Sequence, residues 1–267
     1  WFDDWFLLTT TYDERLIPIV PVHGNHEDGD KTVLHHLFDV PYQGDNKENI
    51  YYDMAFGDFF SFLALNSQIN AEGAQTHWLE EHLKKYKDYT FNTAGYHKPF
   101  FPHTSRKREN EHLYKLWANL FFSYGLDLSF DADSHITKMT YPIRPSNEKG
   151  SHMGFIRDDK KGTMYLGEGS WGAGPRSTDD LKPWTLRSGA FNQIKWLHVF
   201  PEEKGKPARI DIRTVITADK TEDGRLIPYS HGVVPLKEGQ EFDIPKGIKL
   251  FTTEPYGDVI SFPFSEK

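Results

Sequence analysis

Three short stretches concentrate side chains that bind metals or move protons: HGNHE (23–27), GYHKP (95–99) and DADSH (131–135). The last sets Asp131, Asp133 and His135 in alternation. Along an extended strand side chains repeat every two residues, so these three would share one face. Titratable groups crowded on one face compete or repel unless something binds them, and a metal cation is the usual answer. The bland alternative is an acidic turn, since Asp and Ser clusters commonly mark turns. Asn, His and Asp together are hard oxygen and borderline imidazole donors, suited to Zn, Fe or Mn. No Ser nucleophile elbow, Walker loop or dinucleotide glycine pattern competes with them.

Each stretch follows a segment that should position it. RLIPIVPV (15–22) is apolar and β-branched and reads as a buried strand feeding HGNHE. FNTAGYHKP (91–99) reads as a strand stopped by Pro99, and DLSFDADSH (127–135) as a strand and its loop. In an open α/β sheet ligands collect at the carboxyl ends of strands, so the three loops should converge. Between them, residues 49–67 carry a hairpin signal around AFGD. Residues 71–88 and 109–125 have helical spacing, the second with Leu113, Leu116, Trp117, Leu120 and Phe121 on one side. After residue 136 the runs ITKMTYPI, GTMYLGEGSWG, FNQIKWLHVF and ARIDIRTVIT are strand-like. From 218 onward Gly, Pro and charged residues leave little pattern before ISFPF. The order implies one α/β domain over 1–267, with 203–267 as a β-rich C-terminal extension.

Composition narrows the chemistry. The 267 residues suffice for one large core, and 7 Trp, 13 Tyr and 20 Phe can fill it. With 31 basic against 39 acidic residues, the net charge is -8 and no basic stripe is present. A nucleic-acid partner, and hence a nuclease, is therefore disfavoured, whereas phosphate chemistry stays open because bound cations invert a local field. The absence of cysteine excludes disulfides and thiolate metal sites. No apolar run approaches the ~18 residues of a membrane span, and WFDDWF lacks the charged n-region and cleavage site by which a signal peptide is recognised.

GNHE, then the His of YHKP, then D-x-H followed by TYP resembles the calcineurin-like metallophosphoesterases, and within them the purple acid phosphatases. The similarity spans roughly residues 1–200, in order. It implies an α/β sandwich of two mixed β-sheets flanked by helices in four layers, holding a two-metal centre of Fe, Mn or Zn. It implies hydrolysis of a phosphorylated small-molecule substrate, a phosphomonoester or phosphodiester, by a metal-bound hydroxide. It also implies an extracytoplasmic setting, periplasmic or secreted. Carried onto this sequence, the resemblance makes Asn25, His97 and His135 metal ligands and His26 the proton donor or transition-state stabiliser beside the substrate. His103, Arg106 and Lys107 fall where the family contacts phosphate, and Arg suits bidentate phosphate binding. A solvated basic loop is the alternative for Arg106 and Lys107.

Two departures matter. The family's Gly-His falls on Ala132 and Asp133, so Asp133 is read as a carboxylate ligand replacing the His, with Asp131 behind it. The family's first two motifs are not found before Asn25, and WFDDWFLL resembles the helix that follows them, with Asp3 and Asp4 as surface or cap residues. The expectation is that an N-terminal segment or partner chain completes the fold. A second reading follows from both departures: a catalytically silent metallophosphoesterase-fold protein with a binding or structural role. GEGSWGAGPR (167–176) is expected at the mouth of the site, with Trp171 and Arg176 as candidates.

Overall fold

The computed structural model describes residues 2–10, 13–27, 29–220, 226–228 and 259–264. Helix α1 (Phe2–Thr9) forms where WFDDWFLL implied one, and Asp3 is exposed on it. A 3-10 turn at Asn25–Glu27 and helix α2 (Val33–Phe38) follow. Strands β1 (Tyr52–Phe56) and β2 (Phe60–Ala64) make the expected hairpin, with Gly57 at φ 61° in the turn. Next come α3 (Ala74–Tyr86), β3 (Phe91–Gly95), α4 (Glu111–Leu113), a π-turn (Tyr114–Ala118) and α5 (Asn119–Ser123). The remaining elements are β4 (Leu128–Phe130), β5 (Thr137–Thr140), β6 (Ile143–Pro145), β7 (Phe155–Arg157), β8 (Met164–Gly167) and β9 (Thr185–Gly189). Then follow β10 (Asn192–Phe200), β11 (Arg209–Lys220), β12 (Leu226–Pro228) and β13 (Ile260–Phe262).

Seven strands form the main sheet in the order β1-β2-β3-β4-β8-β5-β9. Its centre, β2 to β3 to β4 to β8, is parallel, while β1 and the β5–β9 pair are antiparallel at the two edges. Parallel strands are covered on both faces, and every residue of β3 is accordingly buried. On one face Leu79, Leu83, Trp117 and Phe121 from the helices meet Leu63, Leu65 and Tyr96. On the other, Phe91, Leu128, Met164 and Leu166 meet Ile210 and Ile212 of β11 and Phe262 of β13. The second sheet, β10-β11-β12 with β13 also on β11, pairs antiparallel throughout. The fold is the expected α/β sandwich, with the main sheet packed between helices and the second sheet, but of the two sheets expected to be mixed only the main one is: among the described residues the second is antiparallel. Of the 203–267 extension, residues 221–225, 229–258 and 265–267 lie outside the described residues.

RLIPIVPV is a correction, because residues 17–24 take no regular structure and Leu16 makes an isolated bridge with Thr10. Leu16 and Ile17 are 38% and 43% exposed. An apolar run becomes a strand when a neighbour pairs its backbone groups, and among the described residues no ladder runs beside it. Further along, Val20 and Val22 pack against the Tyr52 and Ala64 cluster, and Tyr52 Oη donates to the Pro21 carbonyl at 2.6 Å. That contact carries the segment across the sheet to Asn25.

Asp127, at the entry to β4, ties two strands together: its N–H donates to the Asn92 carbonyl at 2.8 Å and its carboxylate accepts the Asn92 N–H at 2.7 Å. Burial pushes this carboxyl up to about 7, opposed in part by the Asn92 N–H. Its folded pKa thus lies above the ordinary Asp value near ~3.9, so its contribution to stability is complete below that value and is lost as pH rises through about 7. Asp127→Asn keeps an acceptor for Asn92 and removes the titration. Between pH 5 and 8 the wild type should lose about 2–3 kcal/mol relative to this variant. Thermal melts across that range read the difference, and parallel curves would show that Asp127 is well solvated.

Candidate functional site

Local backbone geometry explains how the three stretches meet. Gly24 lets the loop after Val22 approach closely: a Cβ there would lie 3.0 Å from Glu27 Oε2 and 3.1 Å from His97 Nδ1. Glu27 folds back to accept the Gly24 N–H at 2.9 Å. Gly95, the last residue of β3, leaves room for the Phe62 ring, which a Cβ would meet at 2.7 Å. His97 then lies two residues past the strand end, and its carbonyl accepts the Ala132 N–H at 2.9 Å. That bond pins the β3 loop to the β4 loop.

The β4 loop is not extended. The strand ends at Phe130 and residues 133 to 135 bend, with Asp133 at φ 68° and His135 at φ 57°. The one-face expectation for Asp131, Asp133 and His135 is therefore corrected, because the two-residue repeat holds only while the backbone stays extended. Asp131 turns into the protein, Asp133 faces His97, and His135 is turned toward the 167–176 loop.

Asn25, His97 and Asp133 converge. His97 Nε2 lies 2.8 Å from Asn25 Oδ1 and 3.3 Å from Asp133 Oδ1. Lys107 donates to the same Asp133 oxygen. Burial raises the Asp133 pKa, but hydrogen bonds from His97 and Lys107 outweigh it and hold the carboxyl well below the usual carboxylate range. Arg176 Nη1 donates to the Asp133 carbonyl at 3.1 Å, and its backbone N–H to the His135 carbonyl at 3.0 Å. The His135 ring is half-buried and hydrogen-bonds the Gly174 backbone; burial and then the Arg176 charge lower its pKa.

Ligands bound to one metal at about 2.1 Å stand about 3 Å apart, the spacing found around His97 Nε2. The oxygen, imidazole and carboxylate donors fit a single divalent ion. Among the described residues no group of three or more His, Cys, Asp or Glu could hold a metal, so donors for a second ion are not gathered here.

The phosphate-contacting candidates separate. His103 is fully buried, with Nδ1 3.0 Å from Glu168 Oε1 and Nε2 2.7 Å from Thr185 Oγ. With both ring nitrogens engaged and no exposed surface, it belongs to the interior, and the substrate-contact expectation for it is corrected. Arg106 is exposed, with its charge acting on Asp179. Lys107 is in the site, and His26 is exposed beside a cavity of about 330 Å³ lined by Val33, Leu34, Leu37 and Phe38. Trp171 is 59% exposed on the Gly-rich loop.

Beneath the loop lies a buried charge network that sequence reasoning did not resolve. Lys138 of β5 donates to Asp131 at 2.6 Å and lies 3.1 Å from Glu168, which also accepts the His103 N–H at 3.1 Å. Burial raises the Glu168 pKa, but Lys138 and then His103 outweigh it and hold the carboxyl down at about 2. Asp131 has fewer donors, and burial pushes it up to about 7 despite Lys138. Burial lowers the His103 pKa, so its neutral ring donates from Nδ1 to Glu168 and accepts from Thr185. The one sequence signal was a lysine inside β5, whose four positions are all buried.

No protein-family model matches the chain, and no curated protein matches it. Solved structures do. Purple acid phosphatase PPD1 from yellow lupin (Lupinus luteus) seeds is 14% identical with a TM-score of 0.56, over 77% of this chain and 36% of that one. GAP50, the anchor in the inner membrane complex of Plasmodium, is 11% identical with a TM-score of 0.48, over 84% of this chain and 70% of that one. PhoD is 12% identical with a TM-score of 0.43, over 75% and 45%. This chain thus spans about a third of the length of the lupin protein. Its fold is the metallophosphoesterase-type sandwich of a purple acid phosphatase.

Proposed function

We propose that the chain forms part of a metal-dependent phosphoric ester hydrolase, acting on a phosphomonoester or phosphodiester of a small molecule. The observation that supports this reading is the meeting of Asn25, His97 and Asp133 at the carboxyl ends of β3 and β4. These three would hold the metal; His135, bonded to Gly174, is assigned to the rim. A bound divalent ion supplies Lewis acidity that polarises a phosphoryl oxygen and offsets developing charge. His26, on the turn after Asn25, donates a proton to the leaving oxygen, while Arg106 and Lys107 hold the other phosphate oxygens. Trp171 and Arg176 line the mouth. An N-terminal segment or partner chain supplying donors for a second ion, and an extracytoplasmic setting, complete this reading on the strength of the resemblance. Among the described residues no helix is long and apolar enough to cross a membrane.

The second reading, a silent fold with a binding role, is favoured by one observation: the ammonium of Lys107 already sits on the Asp133 carboxylate. The purified protein, equilibrated with Mn²⁺ and assayed on 4-nitrophenyl phosphate and bis(4-nitrophenyl) phosphate, separates the two. Bound metal with hydrolysis abolished by EDTA is expected. Metal near zero with no hydrolysis would replace the enzyme reading by the silent one.

A further inference from the structure

We propose that Lys107 is a built-in counter-cation for Asp133, and that metal enters the Asn25–His97–Asp133 site by displacing it. This rests on the reading that those three residues hold a metal. Lys107 occupies the same carboxylate oxygen that lies 3.3 Å from His97 Nε2, so ammonium and metal compete for one donor. The pair is sheltered, with side-chain exposures of 23% for Lys107 and 10% for Asp133, which sets it apart from open surface pairs worth little.

The turn that delivers Lys107 is anchored. Ser105 donates from its N–H and Oγ to the Asp179 carboxylate at 2.8 and 2.9 Å, and Lys107 N–H donates to the Thr104 carbonyl at 3.3 Å. His103, two residues before Ser105, is held in the interior by Glu168 and Thr185. The base of the lysine is thus fixed while its four-carbon arm remains free to swing.

Charge makes the competition necessary. Lys107 and Arg176 bring two positive charges to the Asp133 loop, and Lys107 already holds the Asp133 carboxylate. Unit charges 4 Å apart interact by about 4 kcal/mol near a protein surface, so a dication joining Lys107 on one oxygen meets strong repulsion. Displacement relieves it and frees an ammonium for phosphoryl oxygens. Lys107 would then fill two positions in turn: on Asp133 without metal, and on phosphate with it.

Calorimetric titration of the intact protein with Mn²⁺ alone tests this in the wild type and Lys107→Met, which keeps the chain length and removes the charge. Removing the competitor should tighten Mn²⁺ binding by about 10- to 100-fold, the range over which a ligand's immediate partners tune metal affinity. In the wild type, Mn²⁺ should also raise acetylation of the Lys107 amine by N-hydroxysuccinimidyl acetate several-fold, read by peptide mass spectrometry. Equal Mn²⁺ affinity in the two proteins would overturn the counter-cation while leaving the metal site intact. Absence of Mn²⁺ binding in both would overturn the metal site itself, and this inference with it. Should the variant not fold, the labelling decides: Lys107 acetylation unchanged at Mn²⁺ concentrations that complete the wild-type isotherm would refute displacement.

Discussion

Lys138→Met should lower the stability of the fold by about 3–5 kcal/mol, the cost of removing one partner from a buried ionic cluster. The Lys138 side chain is 3% exposed, and its carboxylate neighbours Asp131 and Glu168 are 1% and 0% exposed. Without the ammonium, Glu168 keeps donors from His103, but Asp131 is left with no cation at hydrogen-bonding distance. The penalty comes from that stranded carboxylate more than from the lost attraction. A second substitution, Asp131→Leu in the Lys138→Met background, should therefore recover part of the loss, because replacing both partners with apolar groups removes the stranded charge. Guanidinium unfolding midpoints measure both. A loss under about 1 kcal/mol for Lys138→Met would mean that Asp131 already carries its proton in the folded protein. The substitution should also loosen the site, since the Glu168 carbonyl accepts the His135 N–H at 3.1 Å and helps to shape the Asp133 loop.

His26→Ala should cut kcat on aryl phosphates by about 10²–10⁴-fold, the usual contribution of a positioned proton donor. His26 is exposed and directly follows Asn25, while the close donor distances of the cluster run between Asn25, His97 and Asp133. Its loss should accordingly leave metal content unchanged. His97→Ala removes the nitrogen that both Asn25 and Asp133 approach, and should lose metal and activity together. Measuring metal per chain beside kcat separates the two roles. Full turnover in His26→Ala would end its assignment as proton donor, and retained metal in His97→Ala would move the metal site elsewhere.

What the sequence by itself determined is what short-range periodicity encodes. The helical spacing of 71–88 and 109–125 became α3 and the 111–123 helical stretch, and the strand-like runs became β3, β8, β10 and β11. A buried face repeats every few residues in such elements, so the signal is local. The polar stretches at 95–99 and 131–135 also declared themselves, because ligand-type residues immediately after apolar runs sit at strand ends where the strands pair, as β3 and β4 do.

Only the tertiary structure decided which of those side chains share an environment. RLIPIVPV has the composition of a strand, but strand formation depends on a pairing partner that no local pattern supplies. Asp131, Asp133 and His135 read as one constellation until positive φ values at Asp133 and His135 turned them apart. His103 read as a phosphate contact until Glu168, 65 residues away, took its ring into the interior. Lys107 found Asp133 across 26 residues of sequence. Desolvation and charge pairing depend on distances through space, and the pairings that set this site join residues whose separation along the chain carries no trace of their contact.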